Sequence, residues 1–283
     1  MIKISTSNAG SAVREVTAKE VRLFRENGWV RLYEYVRPDV VEQMLARAKE
    51  LLGENGDKHE SRPGVDIGLA WWNDYNAPAR EGLEPFCSFS QSAAMGRNAS
   101  LFTERNIPIR HFSDQVGVKL PTSASRKNVP TGVHQDYATG HWDRVGNTTF
   151  WIALEDMPPE RGVVQFYNGS QKEGPLGYRA GGTNGPDVLL ETYPWIEKRY
   201  SLSPAIPMRA GDATCHSALV VHRAPANTTD RPRWQYITQY FPADSRWTGA
   251  PVPGGYLGGL TERGQIFADP LWPIVYSPGE GDV

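Results

Sequence analysis

Residues 131–136 read Thr131-Gly132-Val133-His134-Gln135-Asp136, a short strand-like run in which a histidine and a carboxylate lie two positions apart. On a β-strand, residues i and i+2 point to the same face, so His134 and Asp136 are expected to bind the same ion. A third ligand from a distant strand would complete one face of a metal site. We identify His222 as that ligand, because it follows the apolar run 218–221 and is expected to leave a strand near a cavity.

Two histidines and one carboxylate on one face leave the other octahedral positions open, which is the pattern of non-heme iron(II) sites. Zinc is more often held four-coordinate by Cys or additional His. A His-x-Asp pair alone is a weak signal, because a second copy stands at residues 141–143.

Arg233 adds an anion-binding group to the proposed metal site. It begins the strand expected after the turn 227–232. The guanidinium fork binds carboxylates bidentately, and a buried Arg needs a partner. A dicarboxylic cosubstrate would supply that partner. Arg231 is the nearby competitor, but it precedes Pro232 and is expected to be a surface charge in the turn.

Short strands dominate the pattern from about residue 114 onward, and no helical segments alternate with them. The chain also holds 28 Gly and 22 Pro, which excludes a helix bundle and indicates many strands joined by turns. The sequence thus predicts a mainly β protein with flanking helices. The expected strands are 115–120, 132–135, 148–154, 163–167, 213–222 and 234–241.

A helical scaffold is expected at residues 17–53, ahead of the strands. Thr17 and Glu20 form a capping box for a helix over 17–27, a short strand follows at 29–33, and Pro38 opens a helix over 38–52. The β core is expected at about 110–245, with a Gly- and Pro-rich lid or insertion at 169–193. Since no boundary is convincing, we expect one domain over residues 1–283.

Composition limits the partners and the location. Thirty Lys+Arg against 32 Asp+Glu leave a net charge of −2 with no basic tract, which argues against nucleic acid. No apolar run reaches the roughly 20 residues that a membrane helix needs. Two cysteines and a polar N-terminus predict a cytoplasmic protein, as a monomer or a homodimer.

The chain resembles the phytanoyl-CoA dioxygenase family of Fe(II)/2-oxoglutarate-dependent oxygenases in four ordered segments. Residues 24–30 resemble the family's opening helix and strand, and residues 133–137 its W-H-Q-D segment. Residues 151–156 resemble its W-x-A-L-x-D strand. Gly211-Asp212, His222, Asn227 and Arg233 resemble its closing G-D, H, N and R.

The resemblance implies a double-stranded β-helix, the cupin-like jelly roll, with iron between its two sheets. By position, His134, Asp136 and His222 would be the iron ligands, and Arg233 would pair with the distal carboxylate of 2-oxoglutarate. Other positions near the cosubstrate would be Lys119, Trp151 and Thr149. An exposed strand-end lysine is the alternative for Lys119, and a core position is the alternative for Trp151.

Three departures from the family pattern bear on the chemistry. Gln171 stands where relatives often have a histidine that is not a metal ligand, so the iron site is unaffected. Ala224 replaces a serine that often contacts the cosubstrate. Asp136 is retained, whereas halogenating relatives have a small residue there.

The activity implied is oxidation of an unactivated C–H bond of a small, apolar metabolite by O2, with release of succinate and CO2. Hydroxylation is the expected outcome, and desaturation, epimerisation or ring closure are alternatives. A cupin-type isomerase or hydrolase would have no reason for Arg233, and a non-catalytic binding module would be free to lose the ligands. Candidates for the substrate pocket, each with a structural role as its alternative, are Trp71, Trp72, His111, Tyr137, His141 and His216.

Overall fold

Two antiparallel sheets with helices on the outside form the protein. The computed structural model describes residues 10–58, 72–103, 105–121, 130–176, 188–250 and 259–279. The helices are α1 (Ala18–Asn27), α2 (Pro38–Leu52), α3 (Phe86–Ser90), α4 (Ala93–Thr103), α5 (Val188–Thr192) and α6 (Trp195–Arg199), with 3-10 helices at Asp136–Thr139, Pro159–Arg161 and Ser170–Glu173. The strands are β1 (Trp29–Leu32), β2 (Trp72–Asn76), β3 (Ile109–Lys119), β4 (Thr131–His134), β5 (Thr148–Ala153), β6 (Gln165–Phe166), β7 (Ala213–Ser217), β8 (His222–Ala224), β9 (Arg233–Pro242) and β10 (Ile274–Tyr276).

The major sheet has seven strands in the order β1-β7-β5-β9-β3-β10, with β2 also paired to β3. The minor sheet has three strands in the order β4-β8-β6. Neighbours in each sheet are far apart in the chain, as in a jelly roll, and the described strand pairs are antiparallel. The expected fold class, a mainly β jelly roll with flanking helices, is confirmed.

The helical scaffold packs on the outer face of the major sheet. Helix α1 begins at the Thr17–Glu20 capping box and ends at Gly28, whose φ of 80° is the left-handed conformation that glycine adopts readily. Both features were expected from the sequence. The scaffold and the sheet share one apolar core, which includes Phe24, Met44 and Phe150. This core covers one face of the major sheet and leaves the opposite face available for a binding site.

The expected single strand at 213–222 is wrong, because the chain crosses between sheets there. Strand β7 ends at Ser217 in the major sheet, a turn closes with Val220 N donating to Ser217 O, and β8 begins at His222 in the minor sheet. Val220 and Val221 are buried at the crossing, so their apolar character imitates a strand. His222 therefore begins a strand, although we expected it to end one.

The sequence did not reveal helix α4, because tertiary contacts determine two of its residues. Gly96 allows β10 to approach, since a Cβ there would lie 2.7 Å from the Cβ of Tyr276. Asn98 is buried and receives the backbone N–H of Val16, while its amide donates to Arg14 O and the Tyr35 hydroxyl. These two residues weaken helix propensity and hide the apolar periodicity.

The expected lid at 169–193 lies partly outside the described residues, at 177–187. Its described ends form the 3-10 helix Ser170–Glu173 and helix α5. Gln135 holds the first end, because its Nε2 donates to Gly174 O and its Oε1 accepts from Leu176 N. The residue between His134 and Asp136 thus ties the segment to the jelly roll.

Two further findings concern composition. Among the described helices, none is long and apolar enough to cross a bilayer. Cys87 and Cys215 are both free thiols, and Cys215 is buried in the main core.

Candidate metal centre

Two histidines face each other across the minor sheet. His134 on β4 pairs directly with His222 on β8, and the two ring centroids lie 4.2 Å apart. His134 Nδ1 donates to Gly132 O at 2.8 Å, and His222 Nδ1 donates to Val220 O at 3.0 Å. These bonds place the ring hydrogen on Nδ1 in both residues. Both Nε2 lone pairs are therefore available to a metal ion.

Asp136 brings a carboxylate to the same point. It opens a 3-10 helix rather than lying on β4, but Gln135 keeps an extended backbone, so the alternation of side chains continues through residue 136. Asp136 Oδ1 lies 3.7 Å from His134 Nε2 and 3.6 Å from His222 Nε2. The three ligand atoms lie within 4.8 Å of one another, and among the described residues this is the one such cluster that could hold a metal ion.

The second carboxylate oxygen of Asp136 faces the major sheet. Thr149 Oγ1 donates to Asp136 Oδ2 at 2.7 Å, and His216 Nε2 lies 3.2 Å from the same oxygen. Thr149 accepts in turn from Gln239 Nε2 at 3.3 Å. The cluster therefore sits between the two sheets, with one oxygen toward the histidine pair and the other held by the major sheet.

Charge favours an ionised carboxylate at this position. Burial raises the pKa of Asp136, but His222, His216 and His134 outweigh it and hold that pKa far below its usual range. Burial and the neighbouring His134 hold the pKa of His222 well below its usual range, so His222 stays neutral. One carboxylate and two imidazoles form a donor set that fits a divalent transition metal.

Two buried basic side chains lie side by side at one end of the major sheet. Lys119 ends β3, Arg233 begins β9, and the two are direct partners in the ladder. Lys119 is 0% exposed and Arg233 1% exposed. Burial and Arg233 lower the pKa of Lys119 to about 6, and burial lowers the pKa of Arg233 to about 9. The expected alternative for Lys119, an exposed strand-end residue, is wrong.

The surroundings of Arg233 are mostly uncharged. It donates to Gly162 O, its Nε has no hydrogen-bond partner, and it lies 5.3 Å from the Trp151 ring centroid. Among the described residues, no carboxylate forms an ion pair with it. Lys119 Nζ donates to Pro225 O at 2.8 Å. A buried guanidinium in such a setting fits a carboxylate ligand.

The competing Arg231 lies in the turn, as expected. Its side chain is 65% exposed and reaches Glu155 at 4.0 Å. Its contacts are those of a surface charge.

The substrate-pocket candidates occupy several places. The ring centroid of Trp72 on β2 lies 6.0 Å from the Arg233 guanidinium carbon. His216 contacts Asp136 directly. The ring centroids of His111 and Tyr240 lie 5.7 Å apart, and Tyr240 belongs to the apolar core that the scaffold helices share with the major sheet. Trp71 lies outside the described residues.

Tyr137 and His141 lie next to a second apolar cluster that includes Phe112 and Trp142. The half-buried Tyr137 donates its hydroxyl to Trp142 O at 2.8 Å. His141 is 1% exposed and stacks 5.1 Å from the Phe112 ring.

Sequence reasoning missed Gln239 and Gln235, which share a face of β9 with Arg233. The even spacing of 233, 235 and 239 was the available signal. It also missed Phe166, whose ring packs 5.2 Å from His216 and 5.9 Å from His222.

Solved structures with this fold include three proteins that share 21–24% sequence identity with this chain. SnoN, a non-heme alpha ketoglutarate dependent epimerase from nogalamycin biosynthesis solved with Fe3+, alpha ketoglutarate and nogalamycin RO, is 24% identical, with a TM-score of 0.73 over 91% of this chain and 97% of SnoN. SnoK, a carbocyclase from the same biosynthesis, is 24% identical, with a TM-score of 0.72 over 94% and 99%. EvdO2 from Micromonospora carbonacea var. aurantiaca, solved with 2-oxoglutarate, is 21% identical, with a TM-score of 0.61 over 86% and 98%.

A search of curated proteins gave no significant match. The model of the phytanoyl-CoA dioxygenase (PhyH) family, in contrast, matches residues 24–234. That span holds helix α2, the minor sheet, five strands of the major sheet (β1, β2, β3, β5 and β7), the His134–Asp136–His222 cluster and Arg233. The chain therefore belongs to the phytanoyl-CoA dioxygenase family.

Proposed function

We propose that the protein is a non-heme Fe(II)/2-oxoglutarate-dependent oxygenase that hydroxylates an unactivated C–H bond of a small, mostly apolar metabolite. His134, Asp136 and His222 would hold the iron, and Arg233 and Lys119 would hold the distal carboxylate of 2-oxoglutarate. Bound iron and 2-oxoglutarate would activate O2, with one oxygen atom going to the substrate and the other to succinate, and with release of CO2.

One observation carries the proposal: the two-His, one-carboxylate cluster contacts the face of the major sheet that also carries the buried Arg233, which has no described carboxylate partner. A metal-dependent isomerase or hydrolase needs the cluster but not the guanidinium. A non-catalytic binding module needs neither. The pair of features therefore favours an enzyme that uses a dicarboxylate together with the metal.

The chain's own residues have three tasks in this proposal. Arg233 and Lys119 bind and orient the cosubstrate from one end of the major sheet. Thr149 and His216 hold the carboxylate of Asp136. Trp151, whose buried ring lies beside Arg233, would shield the guanidinium from water.

The outcome of the reaction and the setting are also part of the proposal. SnoN and SnoK are an epimerase and a carbocyclase of one biosynthesis, which supports a secondary metabolite as substrate and keeps epimerisation and ring closure as alternatives to hydroxylation. We further propose one domain over residues 1–283, as a monomer or homodimer in the cytoplasm, where the free thiols Cys87 and Cys215 would stay reduced.

An anaerobic titration tests the proposal first. We expect Fe(II) and 2-oxoglutarate together to give a visible charge-transfer band that neither gives alone. With O2 and a mixture of metabolites, succinate release should accompany the gain of one oxygen atom by one component. Tight binding of zinc, with no band and no succinate from any mixture, would exclude the function.

The affinity for 2-oxoglutarate is expected to fall as pH rises above about 6. Lys119 has a pKa of about 6 without a ligand, and a bound carboxylate favours its charged form. Below that pH Lys119 is charged in both states, so affinity is constant. Above it, binding takes up a proton, and Kd should rise by up to about tenfold per pH unit until the pKa of the bound state is reached.

Equilibrium titrations at saturating Fe(II) over this pH range measure the effect. Lys119→Met is the control, because it removes the titrating group and leaves Arg233 in place. The variant should bind more weakly at pH 6 and lose most of the pH dependence. An equal slope in both proteins would assign the titration to another group.

A further inference from the structure

The oxygen of Asp136 that faces away from the histidine pair is fully engaged by the protein. Thr149 Oγ1 donates to Oδ2 at 2.7 Å, and His216 Nε2 lies 3.2 Å from it. A carboxylate only accepts hydrogen bonds, so the hydrogen of the second bond belongs to His216 Nε2. Its Nδ1 is buried and has no hydrogen-bond partner in the structure.

The strand register of the major sheet places these donors side by side on neighbouring strands. Thr149 on β5 is the direct ladder partner of His216 on β7 on one side and of Gln239 on β9 on the other. All three are polar, and their side chains form a chain of contacts from Gln239 through Thr149 to Asp136. His216 and Thr149 are buried, at 2% and 4% exposure. Desolvated donors make strong bonds to a carboxylate.

We infer that His216 is a positioning residue that, together with Thr149, restricts Asp136 to one metal-directed oxygen. The inference rests on the proposed function. With Oδ2 occupied by two donors, only Oδ1 can bind an ion held by His134 and His222. A carboxylate that bound through both oxygens would take one more coordination position, which a chelating cosubstrate or O2 needs.

Fe(II) titrations without cosubstrate test this directly. His216→Phe keeps a ring of similar size beside Phe166 but removes the donor, and is expected to weaken Fe(II) binding by about 10–100-fold. His216→Gln should restore much of the affinity, because the Gln amide nitrogen can reach the position of His Nε2. A purely packing role would instead favour Phe over Gln.

Two threonines supply a matched pair on the same strand. Thr149→Val removes the other donor to Oδ2 and should also weaken Fe(II) binding by about 10–100-fold. Thr148→Val makes the same change one residue away, at a buried hydroxyl with no hydrogen-bond partner, and should leave the affinity unchanged. This pair keeps the test valid if His216→Phe fails to fold.

The charge-transfer band and a count of imidazoles separate the remaining outcomes. In His216→Phe saturated with Fe(II), the band with 2-oxoglutarate should shift or weaken, because Oδ2 of Asp136 then keeps only the Thr149 donor and can approach the iron. Pulsed EPR of the Cu(II)-loaded wild type should show two bound imidazoles. Three imidazoles, or wild-type affinity and band in both His216→Phe and Thr149→Val, would overturn the inference. A wild type without any band would instead refute the proposed function.

Discussion

Replacing Arg233 with methionine is expected to weaken 2-oxoglutarate binding by about 30-fold to several thousand-fold. Removing one partner of a buried charge pair costs about 2–5 kcal/mol, and each 1.4 kcal/mol is about tenfold in affinity. Arg233 is 1% exposed, and no described carboxylate neutralises it, so the ligand would supply its counter-charge. Titration of the Fe(II)-loaded variant without oxygen measures the loss.

The same variant is expected to leave the ligand-free protein at least as stable as the wild type. A buried cation without a carboxylate pays several kcal/mol of desolvation, and apolar replacements of such charges are often neutral or stabilising. The opposing cost is one orphaned carbonyl, Gly162 O, worth about 1–3 kcal/mol. Thermal melts should therefore show an unchanged or higher midpoint, but no upward shift on addition of 2-oxoglutarate.

Arg231→Met is the matched control for this experiment. It removes the same charge two residues earlier, from a side chain that is 65% exposed and reaches Glu155 only at 4.0 Å. Surface pairs of this kind contribute about 0–1 kcal/mol. Its affinity for 2-oxoglutarate should equal that of the wild type. If both variants bind equally well, Arg233 does not hold the cosubstrate.

The β core could be predicted from the sequence where strand patterns are local. Strands β5 and β9 match their expected bounds to within about two residues, because continuous apolar and β-branched runs specify them. Helix α4 could not be predicted, since Gly96 and Asn98 serve contacts with β10 and the N-terminal segment. The single strand expected at 213–222 was wrong for a related reason: burial at the sheet crossing looks like burial in a strand.

The three metal ligands could be predicted from their spacing and from the family resemblance, whereas the hydrogen bonds that orient Asp136 could not. His134 and Asp136 are two apart, and an extended Gln135 preserves that relation. The two donors to Asp136 come from separate strands, at Thr149 on β5 and His216 on β7, and Gln239 on β9 donates to Thr149. The register of the strand pairing places these residues side by side on neighbouring strands, and a single sequence does not reveal that register. Thr149 was expected near the cosubstrate and His216 in the substrate pocket, but their contacts with Asp136 required the structure.

Replacing Asp136 with alanine is expected to have the largest effect on the metal site. Loss of an outer hydrogen-bond partner costs about 10–100-fold in metal affinity, and here the ligand and the negative charge are both removed. We therefore expect Fe(II) affinity to fall by more than about 100-fold and the charge-transfer band with 2-oxoglutarate to disappear. Anaerobic Fe(II) titration and the absorption spectrum measure the two losses.

The second His-x-Asp copy provides the control for this change. Asp143 follows His141 as Asp136 follows His134, but its carboxylate pairs with Arg144 at 2.6 Å and His141 stacks on Phe112. Asp143→Ala should keep Fe(II) affinity and the band, and lose at most about 1 kcal/mol of stability. Asp136→Asn adds a test of charge, since it keeps the shape of the side chain and should still bind Fe(II) poorly. Retention of the band in Asp136→Ala, or its loss in Asp143→Ala, would show that the ion binds elsewhere.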